Sequence, residues 1–180
     1  MLKPEDCVLV VVDVQGQLAQ VMHKSEELHH KLTLLIKGIQ LFDIPILWLE
    51  QLPDKLGATT DVLATELIKT TEPIAKQHFS GWQCPKFRAK ISAMGRKHIL
   101  VAGIEAHVCV YQTCMDLLDN AYPTHLVVDA MSSRDPDNKK LGIEMMLAHG
   151  AFQTNAESLL FELQHEAIGE RFKALLALIK

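Results

Sequence analysis

No apolar run in this sequence approaches the length of a membrane span. The opening Met1-Leu2-Lys3-Pro4-Glu5-Asp6 lacks the layout of a signal peptide. No membrane partner is therefore expected. Positive charge is not in excess either: 18 Lys and Arg stand against 22 Asp and Glu, a net charge of −4, with no basic stripe. Nucleic acid is accordingly not an expected partner. Cysteine is sparse, at positions 7, 84, 109 and 114, in neither a paired zinc spacing nor a disulfide-dense pattern. A reducing, cytoplasmic setting fits that usage. Repeats, low-complexity tracts and linkers are also missing. Residues 1–180 therefore read as one domain, large enough to bury about 70% of its unfolded surface.

What is present alternates. Nearly half the residues are hydrophobic and 22% are charged, the balance of a globular domain. The valine-rich run at 7–12 ends in Asp13 and reads as a central parallel strand. Ser25-Glu26-Glu27 opens a helix, with serine as the expected cap, and Leu28, Leu32, Leu35, Ile36 and Ile39 supply its apolar face. Residues 46–49 form a second strand ending at Glu50-Gln51, and 52–60 read as a loop. A short helix is expected over 61–68, a third strand over 73–80, and a helix over 85–94 closed by Gly95. The run 98–102 is a fourth strand ended by Gly103, followed by a helix that stops at Asn120. Residues 123–129 and 151–154 give the last strands, with a helix from Pro136 to His149 between them. The tail, about 166–180, carries Phe172, Leu175, Leu176 and Ile179 and packs on the core or on a second subunit. Strands alternating with helices predict an α/β, three-layer Rossmann-like fold with six parallel strands in the order 3-2-1-4-5-6.

In that order strands one and four flank the switch point, where such sheets place their sites. Asp13 is either a turn residue or an acid pointing into this crevice. Lys76, in the third strand, either snorkels from a sheet edge or meets a carboxylate. Cys109 is either small apolar packing or a nucleophile in the first turn of a helix. Free amides and the positive dipole end there favour a thiolate. Together the three form a working set. Asp13 takes the thiol proton, Lys76 holds the thiolate and orients the carboxylate, and helix-start amides receive an oxyanion.

The sequence resembles the isochorismatase-like cysteine hydrolases. The matching stretches are Val11-Val12-Asp13-Val14-Gln15, Lys76-Gln77-His78-Phe79-Ser80 and Gly103-Ile104-Glu105-Ala106-His107-Val108-Cys109-Val110, with Thr113 and Asp116 following. The resemblance implies a catalytic triad of Asp13, Lys76 and Cys109. It also implies a cis Ile104–Glu105 peptide, with the Glu105 and Cys109 amides as the oxyanion hole. Its expected activity is hydrolysis of a small amide or related acyl compound through a cysteine thioester. Glu50-Gln51-Leu52-Pro53 with Leu56-Gly57-Ala58-Thr59 is similar to an uncharacterised Glu-Gln-x-Pro subgroup. The Asp-x-His metal cluster of nicotinamidases has no counterpart here, because no His lies between Glu50 and Thr60. No metal and no cofactor are expected. Gln15, Glu50, Phe79, Trp82 and His107 are candidates to line the substrate pocket, with aromatic core or surface placement as the alternatives. Cys7 and Cys114 read as packing, and His29-His30 as solvated surface. The resemblance also implies a homo-oligomer. Two other readings remain: metal-dependent phosphoryl transfer from Asp13, against which Gln15 stands where a second aspartate is needed, and a scaffold whose catalysis has lapsed.

Overall fold

The computed structural model describes residues 1–180. Six parallel strands form one sheet in the order β3-β2-β1-β4-β5-β6. They are β1 (Cys7–Val12), β2 (Ile46–Gln51), β3 (Pro73–Lys76), β4 (His98–Gly103), β5 (Thr124–Met131) and β6 (Phe152–Thr154). The helices are α1 (Gly16–Gln20), α2 (Ser25–Leu41), α3 (Pro53–Leu56), α4 (Asp61–Leu67), α5 (Pro85–Met94), α6 (Cys109–Asp119), α7 (Pro136–Ala148), α8 (Ala156–Gln164) and α9 (Gly169–Ile179). None is long and apolar enough to cross a membrane.

The pleat divides the central strands between two apolar layers. Cys7, Leu9 and Val11 of β1 face one layer with Leu32, Leu35, Ile39, Leu160 and Leu175 from α2, α8 and α9. Val8, Val10 and Val12 face the other with Phe87, Ile91, Val110, Leu117 and Met146 from α5, α6 and α7. Every residue of β1 is buried, which is why the strand reads as a continuous apolar run. At its end Gly103 (φ 120) leaves β4 against β1. A Cβ there would meet the Val12 carbonyl oxygen at 2.2 Å, so only glycine lets the two strand ends close the crevice floor.

Several boundaries differ from those expected. Ser25 is inside α2 and Lys24 is the cap in a left-handed conformation. The serine hydroxyl donates instead to the Ala19 carbonyl at 2.8 Å, tying α2 to α1. The four-residue helix α3 interrupts the 52–60 stretch read as a loop, and the five-residue α1 lies where no element was assigned. β3 ends at Lys76, because the chain then turns so that its carbonyls face the Lys76 ammonium. His29 is not simply solvated: its ring bonds the Ser25 carbonyl at 2.7 Å and Thr60 Oγ1 at 3.1 Å, bridging α2 to the start of α4. Cys7 and Cys114 are fully buried. α9 docks on α2 and α8, with Leu175 buried and Phe172 and Leu176 half-covered.

Candidate active site

β1 and β4 run side by side from Cys7↔His98 to Val12↔Gly103, so the segments leaving their carboxyl ends face one another. Asp13 leaves β1 at φ 52, a left-handed turn that aspartate tolerates better than most residues. Its carboxylate meets Lys76 from β3: Nζ lies 2.6 Å from Oδ2, with the side chains 0% and 3% exposed. The ammonium is fully partnered, also donating to Gln51 Oε1 at 2.6 Å, the Phe79 carbonyl at 2.9 Å and the His78 carbonyl at 3.2 Å. That solvation by fixed dipoles is what makes a charge tolerable in such a place. The other carboxylate oxygen, Asp13 Oδ1, is buried without a hydrogen-bond partner.

Cys109 opens α6 and is 8% exposed. Its thiol interacts with the Asp13 carboxylate, and each perturbs the other. Burial, then the Asp13 negative charge, push the Cys109 thiol up to about 12, against a smaller pull downward from Lys76. Burial likewise raises Asp13 above the usual carboxylate range, opposed first by Lys76. Burial and the neighbouring carboxylate thus oppose the thiolate that the helix start favours, a dipole end being worth about 0.3–1 kcal/mol. The sulfur lies beside a carboxylate whose Oδ1 has no hydrogen-bond partner.

The Ile104–Glu105 peptide is cis. Neither the Glu105 nor the Cys109 N–H donates to a protein acceptor, so both donors are open for an incoming oxygen. Glu105 itself is anchored: its carboxylate accepts from the Arg134 backbone N–H at 3.0 Å and from Arg134 Nε at 3.2 Å. Ala106 N–H is tied to the Ser132 carbonyl at 2.9 Å. No group of three or more His, Cys, Asp or Glu side chains is arranged to hold a metal ion.

The residues expected to line a pocket are arranged differently. Gln15 is fully buried; its Nε2 donates to the Gln51 and Gly57 carbonyls and its Oε1 accepts from Gln51 N–H. Glu50 Oε1 accepts from both the N–H and the hydroxyl of Thr59, whose Oγ1 also receives the Trp48 indole N–H. Both hold the 57–60 segment through these bonds. Phe79 is 53% exposed, and Trp82 is half-buried against Tyr122, ring centroids 5.6 Å apart. His107 is half-buried, its Nδ1 3.0 Å from Ser133 Oγ. Gln51 is the participant that pattern reading missed. A cleft of about 580 Å³ beside β3 is lined by Leu52, Ala75, Lys76, His78, Gln83 and Cys84 among others. Of the three residues Lys76 alone lines it; Asp13 and Cys109 do not.

The sheet order and its helices define a Rossmann-like fold of the α/β class. Comparison with known proteins fixes the family. Residues 7–158 match the isochorismatase domain, and the chain belongs to the isochorismatase family. The secreted isochorismatase effector Isc1 of Phytophthora sojae is 32% identical over 99% of this chain and 87% of its own. The structure of MAR1 ribonuclease from Caenorhabditis elegans matches with a TM-score of 0.90 at 31% identity, covering 99% of this chain and 91% of that one. YcaC from Escherichia coli, described as an octameric hydrolase of unknown specificity, shares the fold at TM-score 0.90 and 19% identity, covering 98% and 87% respectively.

Proposed function

We propose that the chain hydrolyses a small amide or related acyl compound through a thioester on Cys109, with Asp13 and Lys76 completing a triad. The observation that carries this reading is the buried Lys76–Asp13 pair, whose one unpartnered oxygen belongs to a carboxylate that interacts with the thiol. Asp13 Oδ1 takes the thiol proton as the sulfur attacks the carbonyl carbon, so the thiolate forms only as its new bond forms. The Glu105 and Cys109 amides receive the oxyanion. The carbon–nitrogen bond then breaks, and Asp13 passes its proton to the leaving amine. Water, deprotonated in turn by Asp13, attacks the thioester and releases a carboxylic acid; the proton returns to the sulfur. Lys76 orients Asp13 throughout and favours its ionised form between the two proton transfers.

Amides, carbamoyl compounds and activated esters form the test panel, with Cys109→Ala as control. Turnover by the native chain, a mass increase on Cys109 under single-turnover conditions, and loss of both in Cys109→Ala are expected. Turnover unchanged in Cys109→Ala overturns the mechanism. No turnover of any panel member would favour the lapsed scaffold. Including RNA in the panel checks the activity named for the Caenorhabditis elegans relative.

The same reading places the chain as one domain in a reducing compartment, which accords with four unpaired cysteines. It also gives a homo-oligomer, as YcaC forms an octamer. Light scattering at micromolar concentration is expected to return a multiple of 20.2 kDa; a monomer would remove the assembly.

A further inference from the structure

Two of the four acceptors around the Lys76 ammonium are the main-chain carbonyls of His78 and Phe79. They belong to no strand or helix, and Phe79 is 53% exposed. Something else must hold that turn still. From below, Gln51 Nε2 donates to the Gln77 carbonyl at 2.9 Å, and Arg88 of α5 donates to the Trp82 carbonyl at 2.8 Å. The remaining hold comes from α6. Thr113 Oγ1 accepts the Gly81 N–H at 2.9 Å. Asp116 Oδ2 accepts the Ser80 hydroxyl at 2.6 Å and Gln83 Nε2 at 3.0 Å. Ser80 Oγ in turn receives the Trp82 N–H at 3.2 Å.

Cys109, Thr113 and Asp116 stand at i, i+4 and i+7, one face of one helix. Thr113 is fully buried and Ser80 is 4% exposed. Any shift of α6 thus carries the sulfur and the carbonyl cage together.

We propose that Thr113 and Asp116 are positioning residues: they grip the 78–82 turn from the nucleophile's own helix and thereby fix the Lys76 ammonium relative to Cys109. The inference rests on the triad reading above. Neither side chain touches the reacting atoms; both act through the turn.

The test is the rate of Cys109 alkylation by iodoacetamide at a fixed neutral pH, followed by peptide mass mapping, which needs no known substrate. Lys76 pulls the Cys109 thiol down, so loosening its cage slows labelling. Thr113→Val and Asp116→Ala should slow labelling at neutral pH by about tenfold to a hundredfold, the scale of a misplacement near 1 Å. Asp116→Asn keeps an acceptor oxygen and should recover most of the loss. Leu163→Ala, in the opposite apolar layer, should lower Tm without slowing the labelling. That separates positioning from general loosening. A wild-type labelling rate in Thr113→Val and Asp116→Ala, with a slowed one in Lys76→Met, overturns this inference and leaves the triad standing. An unchanged rate in Lys76→Met overturns the triad itself. Should Asp116→Ala fail to fold, the nearly isosteric Thr113→Val decides.

Discussion

The Asp13–Lys76 pair illustrates how a buried charge can be necessary without being stabilising in itself. Breaking such a pair from one side leaves the other ion stranded, at a typical cost of about 3–5 kcal/mol, whereas replacing both often costs little. Asparagine tolerates the left-handed backbone at position 13, so Asp13→Asn removes the charge without adding backbone strain. It should lower unfolding stability in urea by about 3 kcal/mol, toward the lower end because Gln51 and two carbonyls still solvate the ammonium. Adding Lys76→Met should return much of that loss while leaving the protein inactive. A stability unchanged in the single variant would mean that Lys76 sheds its proton or finds water. The sequence showed Asp13, Lys76 and Cys109 because each sits at the end of a legible element. Gln51 stayed hidden because its value lies in partners 25 and 36 positions away. The hydrogen bonds of Gln15 and Glu50 to the 57–60 segment stayed hidden for the same reason: polar residues at strand ends look alike until their partners are known.

Among the elements, long apolar patterns were readable and short ones were not. β1, β4 and α6 follow from runs and periodicity, and Asn120 ends α6 as expected. α1 and α3 are too short for a helical period to register. The burial of the Cys109 thiol also escaped reading, since it depends on what covers a helix end rather than on the end itself. α7 has a role that its sequence does not announce. A Cβ on Gly142 would lie 2.8 Å from the Ala106 carbonyl oxygen and from the His107 main chain. All of those atoms are backbone and none can swing aside. Gly142→Ala should therefore displace the segment that carries the open amides, lowering turnover by about tenfold or more. Steady-state kinetics on the substrate found by screening checks this, and unchanged kcat would show that α7 yields instead.

At the scale of the molecule, four separate stretches supply the working groups: Asp13, Gln51, Lys76 with its turn, and the 105–109 segment. Their convergence follows from strand order, and that order was legible because right-handed crossovers leave few alternatives. The lining of the site was not legible. It depends on which loop side chains are already occupied, and Phe79 and Trp82 ended at the surface and against Tyr122.

In the proposed mechanism the cation comes from β3, one of the sheet's two edge strands and nearly its shortest, which has a single neighbour and four residues in register with it. Rims melt before interiors. Mild urea should therefore silence the enzyme while circular dichroism still reports an intact protein, and refolding of that margin alone should restore it. Coincident midpoints for activity and ellipticity would instead show that the border strand is as firmly seated as the middle of the sheet.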